Sequence, residues 1–252
     1  MGVDDVVTAL DEQVGELRSL VAPLDEAGLA TPSACEGWSV ADVLLHLAQT
    51  NEAAVASVRG ELESATDSLW GRARPGDVDV AAGEAVAAER GASGTEVRDR
   101  WDRSAREMVA AFAAADPAAR VPWVVGEMAA RSLTTTRIAE TWIHTGDVAE
   151  GLGVARQPAD RIRHIVYLVH RTIPYAFARA GREPSGPVRF AVTAPVSGET
   201  WAFGDADAPT VVTGPAVDLC RVAGQRASAA DTALSATGPD AADVLALMRT
   251  FA

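Results

Sequence analysis

Apolar residues recur at three- and four-residue intervals through the first three-quarters of the chain and at every second residue through much of the rest. From 3 to 24, Val6, Val7, Leu10, Val14, Leu17, Val21 and Leu24 mark one face of an amphipathic helix. Two glycines and a proline in DEAGLATPSACEGW end it. Ser39 then stands as an N-cap with Asp42 at the third helical position, and Trp38 and Val43 occupy the two staple positions. These signals predict a second helix running to about Arg59, with Val43, His46, Leu47 and Thr50 on one stripe. His46 therefore falls two turns in. Residues 60 to 94 are loop-like apart from a short helix around Ala82 to Arg90, and Thr95 opens a third long helix with Val97, Trp101, Met108, Val109 and Phe112 facing inward. The connection PAARVPWVVGEMAAR is rich in breakers. It carries Trp123 and Met128 to SLTTTRIAETWIHTGDVAEGLG, a helix capped by Ser132 and ended by the glycines at 151 and 153. A further helix starts at Pro158 and breaks at Pro174.

From Gly186 the period changes to two. PVRFAVTA, ETWAF and APTVVTG read as three strands, GPAVDLCRVAGQR as a helix from Pro215, TALSATG as a strand and DAADVLALMRTFA as a closing helix. The expected class is α+β. An all-α bundle over residues 1–182 precedes a small β-β-β-α-β-α module over residues 183–252, divided in GREPSG. No internal repeat or low-complexity segment is visible.

Composition narrows the chemistry. The 252 residues carry 48% hydrophobic and 23% charged side chains, the mixture of a soluble globular protein. A net charge of −13 argues against nucleic-acid binding, which needs Lys and Arg against phosphates. All 22 basic residues are Arg. Without lysine there is no Schiff-base or pyridoxal-phosphate chemistry and no P-loop. The Ala, Gly, Val and Asp bias points to a GC-rich bacterial genome. Cys35 and Cys220 fit no metal or disulfide spacing, so a reduced, cytoplasmic setting is expected. The acidic, amphipathic start is unlike a signal peptide, and no apolar run suits a membrane span.

Glu140 and His144 are four residues apart and leave one face of their helix within a turn. A carboxylate and an imidazole so placed form half of a divalent-metal site, and His46 on a facing helix is the leading candidate for the rest. Two His and one Glu are a catalytic zinc set that leaves a coordination position open. The plainer alternative is a hydrogen-bonded core His, with Arg137 pairing the buried Glu140. Asp147 either orients His144 or is solvated, the latter being favoured. Cys35 is a built-in thiol or, preferably, a small buried or loop cysteine. His164 and His170 read as surface or packing residues.

EGWSVADVLLHLAQTNEAA, ARSLTTTRIAETWIHTGDVAEGLG and TGPAVDLCRVAGQR…ALSATGP together resemble actinobacterial relatives of mycothiol-dependent maleylpyruvate isomerase. The resemblance spans nearly the whole chain. It implies a DinB-like four-helix bundle joined to a small sterol-carrier-like α/β domain. It implies metal ligands at His46, Glu140 and His144, with zinc first and nickel, iron or cobalt as alternatives. It also implies an Arg that completes the pocket, best matched by Arg226 with Arg221 close by. The implied chemistry is a mycothiol-like thiol, activated by the metal, acting on a small organic substrate by isomerisation or S-transfer. Two other readings stay open: a metal-water hydrolase or lyase on the same residues, and a non-enzymatic small-molecule binder with a structural metal. The expected partners are a small-molecule substrate and a low-molecular-weight thiol, in a monomer or homodimer.

Overall fold

The computed structural model describes residues 3–62, 78–124 and 126–250. It forms two compact units, Met1–Arg156 and Gln157–Ala252. In the first, α1 (Val3–Val21), a short α2 (Glu26–Leu29), α3 (Val40–Arg59), α4 (Val78–Glu89) and α5 (Gly94–Ala114) precede a two-stranded ribbon, β1 (Arg120–Val121) and β2 (Met128–Ala129). The ribbon leads straight into α6 (Ala130–Gly151). Four long helices make the bundle: α3 packs on α5 and α1 on α6, with α1–α5 and α3–α6 contacts completing the ring. Leu10, Val14, Leu17, Leu44, Leu47, Trp101, Met108, Leu133, Ile138 and Ile143 fill it. The segment 60–77 expected to be loop lies largely outside the described residues. The short helix expected after it is present as α4.

Two helix starts in this unit differ from expectation. α5 is capped by Ser93 through a capping box with Glu96, and the Glu26 carboxylate receives the next two backbone N–H groups. α6 begins at Ala130, not after Ser132, and Ala129 supplies no side-chain cap. The reason lies outside the helix. Ala130 N donates to Ala119 O at 2.9 Å and Arg131 N to Pro117 O at 3.0 Å, so backbone carbonyls of the connection take up donors that a cap would satisfy.

In the second unit a 3₁₀ turn (Asp160–Ile162) leads into α7 (Arg163–Arg179), followed by β3 (Val188–Thr193), β4 (Thr200–Phe203), β5 (Thr210–Pro215), α8 (Ala216–Ala223), β6 (Ser235–Thr237) and α9 (Ala241–Leu247). The sheet order is β4-β3-β5-β6, antiparallel except for the parallel β3–β5 pair. From β3 onward this is the expected β-β-β-α-β-α order. Inward residues alternate as the sequence pattern requires: Val188, Phe190, Val192, Trp201 and Val212 are buried. The boundary expected at 182–183 falls one helix later than the division between units. α7 has contacts with α8, α9, β3 and β4, and buries Ile165, Val166, Val169, Ile173 and Phe177 in this unit. The helix expected to start at Pro158 begins later, through the 3₁₀ turn, and the break expected at Pro174 is also absent. Pro174 forfeits one backbone hydrogen bond, and the turn beyond it is retained because it buries Ala176 and Phe177. Among the described residues no helix is long and apolar enough to cross a membrane.

Candidate metal centre

Capping sets the register of α3. Ser39 N donates to Asp42 Oδ2 at 2.9 Å, Asp42 N returns a bond to Ser39 Oγ at 3.1 Å, and Arg90 braces the same carboxylate. With the start pinned, His46 lands two turns in on the face toward α6, where it is buried. From α6, Glu140 and His144 meet it. The His46 Nε2 lies 2.8 Å from Glu140 Oε1, and the His144 Nε2 lies 3.6 Å from that same oxygen. The two imidazole rings are 4.9 Å apart between centroids. All three sequence-derived residues thus come together, and their ligand atoms lie within 4.8 Å of one another.

The donor set fits a divalent cation. Two imidazole nitrogens and one carboxylate oxygen face each other in a space mostly closed to solvent, and ligand atoms on a common zinc ion lie ~3–4 Å apart for bonds of about 2.0–2.1 Å. His144 is already turned for the task. Its Nδ1 bonds Asp147 Oδ2 at 2.9 Å, which leaves Nε2 toward Glu140. Asp147 is only 2% exposed, so the favoured solvated reading is corrected: this carboxylate holds the ring. Cys35 donates its thiol to the same Asp147 oxygen at 3.0 Å and sits 3.8 Å from His144 Nδ1. It is a half-buried loop cysteine on the far edge of the ring from Glu140.

The electrostatics follow from burial against pairing. Burial pushes the Glu140 carboxyl up, but hydrogen bonds from His144 and His46 and the charge of both rings outweigh it and hold the group well below the carboxylate range. Burial pulls His144 down, yet Asp147, Cys35 and Glu140 together raise it well above an ordinary imidazole. For His46 burial wins over Glu140, and its pKa falls.

The loop before α3 supplies the wall. Trp38, visible in the sequence only as a staple residue, places its ring 5.3 Å from His46 and 6.4 Å from His144, stacked on the latter at 20°. The loop is clamped to the end of α6: Ala34 N donates to Asp147 O at 3.0 Å. A Cβ on Gly151 would stand 2.8 Å from Ser33 Cα and closer still to Pro32 O, so only glycine admits this approach. The sequence signal for Asp147 was its place one turn beyond His144; its burial depends on this loop.

Arg137 does not pair Glu140. Its Nη2 donates to Thr50 Oγ1 at 2.7 Å and, at a long 3.4 Å, to Asn51 Oδ1. Arg226 belongs to the second unit, where it follows α8 and donates from Nη1 to Gly224 O at 3.1 Å. His164 and His170 also lie there. His164 is buried within α7, so of the two readings offered for it packing holds, and His170 Nε2 meets Val188 O at 3.0 Å.

Fold and cluster define a class: a four-helix bundle with a buried His–Glu–His group, followed by a small sheet-and-helix unit. Residues 10–149 match the family model of the mycothiol maleylpyruvate isomerase N-terminal domain, and the chain belongs to that family. Two uncharacterized proteins from two strains of Mycobacterium tuberculosis are each 34% identical over 248 residues, covering 98% of this chain and 95% of theirs. The crystal structure of mycothiol-dependent maleylpyruvate isomerase superposes with a TM-score of 0.64 at 17% identity, covering 95% of this chain and 97% of that one. A point mutant of that enzyme gives 0.63. At this identity the likeness establishes the fold, bundle and sheet unit alike.

Proposed function

We propose that His46, Glu140 and His144 hold one divalent metal, zinc before nickel, iron or cobalt, and that the protein is a thiol-dependent isomerase or S-transferase acting on a small organic substrate. Membership of the family supports the thiol, of which mycothiol is the model. The observation that carries the metal is the convergence of two Nε2 atoms on one Glu140 oxygen while Asp147 occupies the opposite edge of His144. When bound, a divalent cation supplies Lewis acidity that lowers the pKa of a thiol brought to it.

The chain's own residues do the rest. Asp147 fixes the His144 ring, the capping box fixes the depth of His46, and Trp38 screens both imidazoles from water. Arg226 is assigned to a substrate carboxylate through the paired N–H geometry of a guanidinium. The proposed setting is the cytoplasm, as a monomer or homodimer, and it suits two cysteines of which neither is in a disulfide.

The test is metal content. Purified protein is expected to carry about one divalent ion per chain, and chelation should lower Tm because the ion binds only the folded state. His46→Ala or His144→Ala protein with undiminished metal would refute the site. A thiol-induced rise in Tm of the metal-loaded protein separates thiol chemistry from hydrolysis by metal-bound water, and no rise at millimolar thiol favours the latter.

A further inference from the structure

Arg137 is 3% exposed, its Nε has no hydrogen-bond partner, and the side chains it bonds, Thr50 and Asn51, are both neutral. A buried guanidinium normally lies against a carboxylate, since taking the charge out of water costs several kcal/mol. No described carboxylate is paired with this one. Its place in the bundle is specific. Arg137 precedes Glu140 by three residues on α6, and Thr50 follows His46 by four on α3, so the guanidinium belongs to the layer next to the candidate ligands, one helical turn or ~5 Å away. The acid whose charge bears on it is Glu140, whose oxygen is already engaged by His46 and His144. A cation held there would draw on the same carboxylate and leave Arg137 without an offsetting charge.

We propose that Arg137 is an anion-binding residue beside this cluster, receiving a carboxylate of the small organic substrate whose reacting end meets the metal. The inference rests on the metal-and-thiol reading above and adds a spacing to it. The preferred ligand carries its carboxylate about one helical turn from the metal-bound atom. Arg137 thereby selects for charge and length, a role separate from that given to Arg226.

Cobalt-loaded full-length protein tests it with two probes of equal length, 3-mercaptopropionate and 3-mercapto-1-propanol, followed by the near-ultraviolet sulfur-to-cobalt absorption. A hydrogen bond between charged groups predicts that the acid binds roughly tenfold or more tightly than the alcohol. Arg137→Gln should bring that ratio to about one and leave the affinity for the alcohol within about twofold. Mercaptoacetate and 4-mercaptobutyrate should bind the wild type less tightly than 3-mercaptopropionate. Equal affinities for acid and alcohol in the wild type, or a ratio that survives Arg137→Gln, overturn the assignment. Should the Gln variant not fold, the wild-type ratio and length series still decide. Failure to bind cobalt, or cobalt binding with no sulfur band, sinks the metal-and-thiol reading and this inference with it.

Discussion

Asp147→Ala isolates what the second carboxylate contributes to the proposed metal site. In the native protein Asp147 is buried, accepts from His144 Nδ1 at 2.9 Å and takes the Cys35 thiol at 3.0 Å. Its removal leaves the ligand atoms in place but frees the His144 ring to rotate and to change tautomer. Outer carboxylates of this kind are worth about 10–100-fold in metal affinity, or roughly 1.4–2.7 kcal/mol. Asp147→Ala should therefore weaken zinc binding by that factor, with stoichiometry still near one at saturating zinc, measured by competition with a chromophoric chelator at pH 7. Cys35→Ser keeps a hydroxyl donor for Asp147 and should change the affinity by less than about threefold. An Asp147→Ala protein within about twofold of wild type would show that the ring is held by packing alone. A large loss in Cys35→Ser would show that the thiol itself belongs to the ligand set.

Two further outcomes follow from the packing and the charges. Gly151→Ala drives a methyl into the 32–33 backbone and should cost ~1–3 kcal/mol with a matching fall in Tm, whereas Gly15→Ala on α1 meets nothing within 4 Å and should be neutral or stabilising by up to ~1 kcal/mol; equal effects would remove the clamp from the argument. In the second unit burial raises the Asp240 carboxyl, but bonds from Ser185 and Thr210 outweigh it and set it below the ordinary aspartate value of 3.8. A carboxyl depressed in the folded state stabilises above its unfolded pKa and loses that contribution as pH falls through the folded one. Asp240→Asn should thus melt below wild type at pH 7, with a gap that closes on acidification; a gap independent of pH contradicts the linkage.

Local signals carried the elements well where the cause was local. Ser39 and Asp42 reveal the start of α3 because both capping bonds are made within four residues, and that start is enough to place His46. Glu140 and His144 share a face by helical period alone. What sequence could not show was made by distant chain. The donors at the start of α6 are met by Ala119 and Pro117, so no capping side chain marks that start and Ser132, which has the chemistry of a cap, lies inside the helix. Helix α7 reads like another bundle helix, since an apolar stripe does not say whether a helix or a sheet covers it. Asp147 is polar in sequence and buried in the fold because the 33–38 loop closes over it, and Trp38 joins the histidines through the same closure. Arg137 was an obvious partner for Glu140 by spacing, yet the α3 residues beside it redirect the guanidinium.

The His46–Glu140 contact spans 94 residues of chain. Topologically it is the knot of a long loop that includes α4, α5 and the segment 63–77. The entropy of closing such a loop grows only with the logarithm of its length, and doubling it costs about 0.6 kcal/mol. Insertions or deletions in that segment therefore weigh little on the assembly of the knot itself. The cluster is thus tied by a contact whose entropic cost is nearly indifferent to how much chain lies between its two ends.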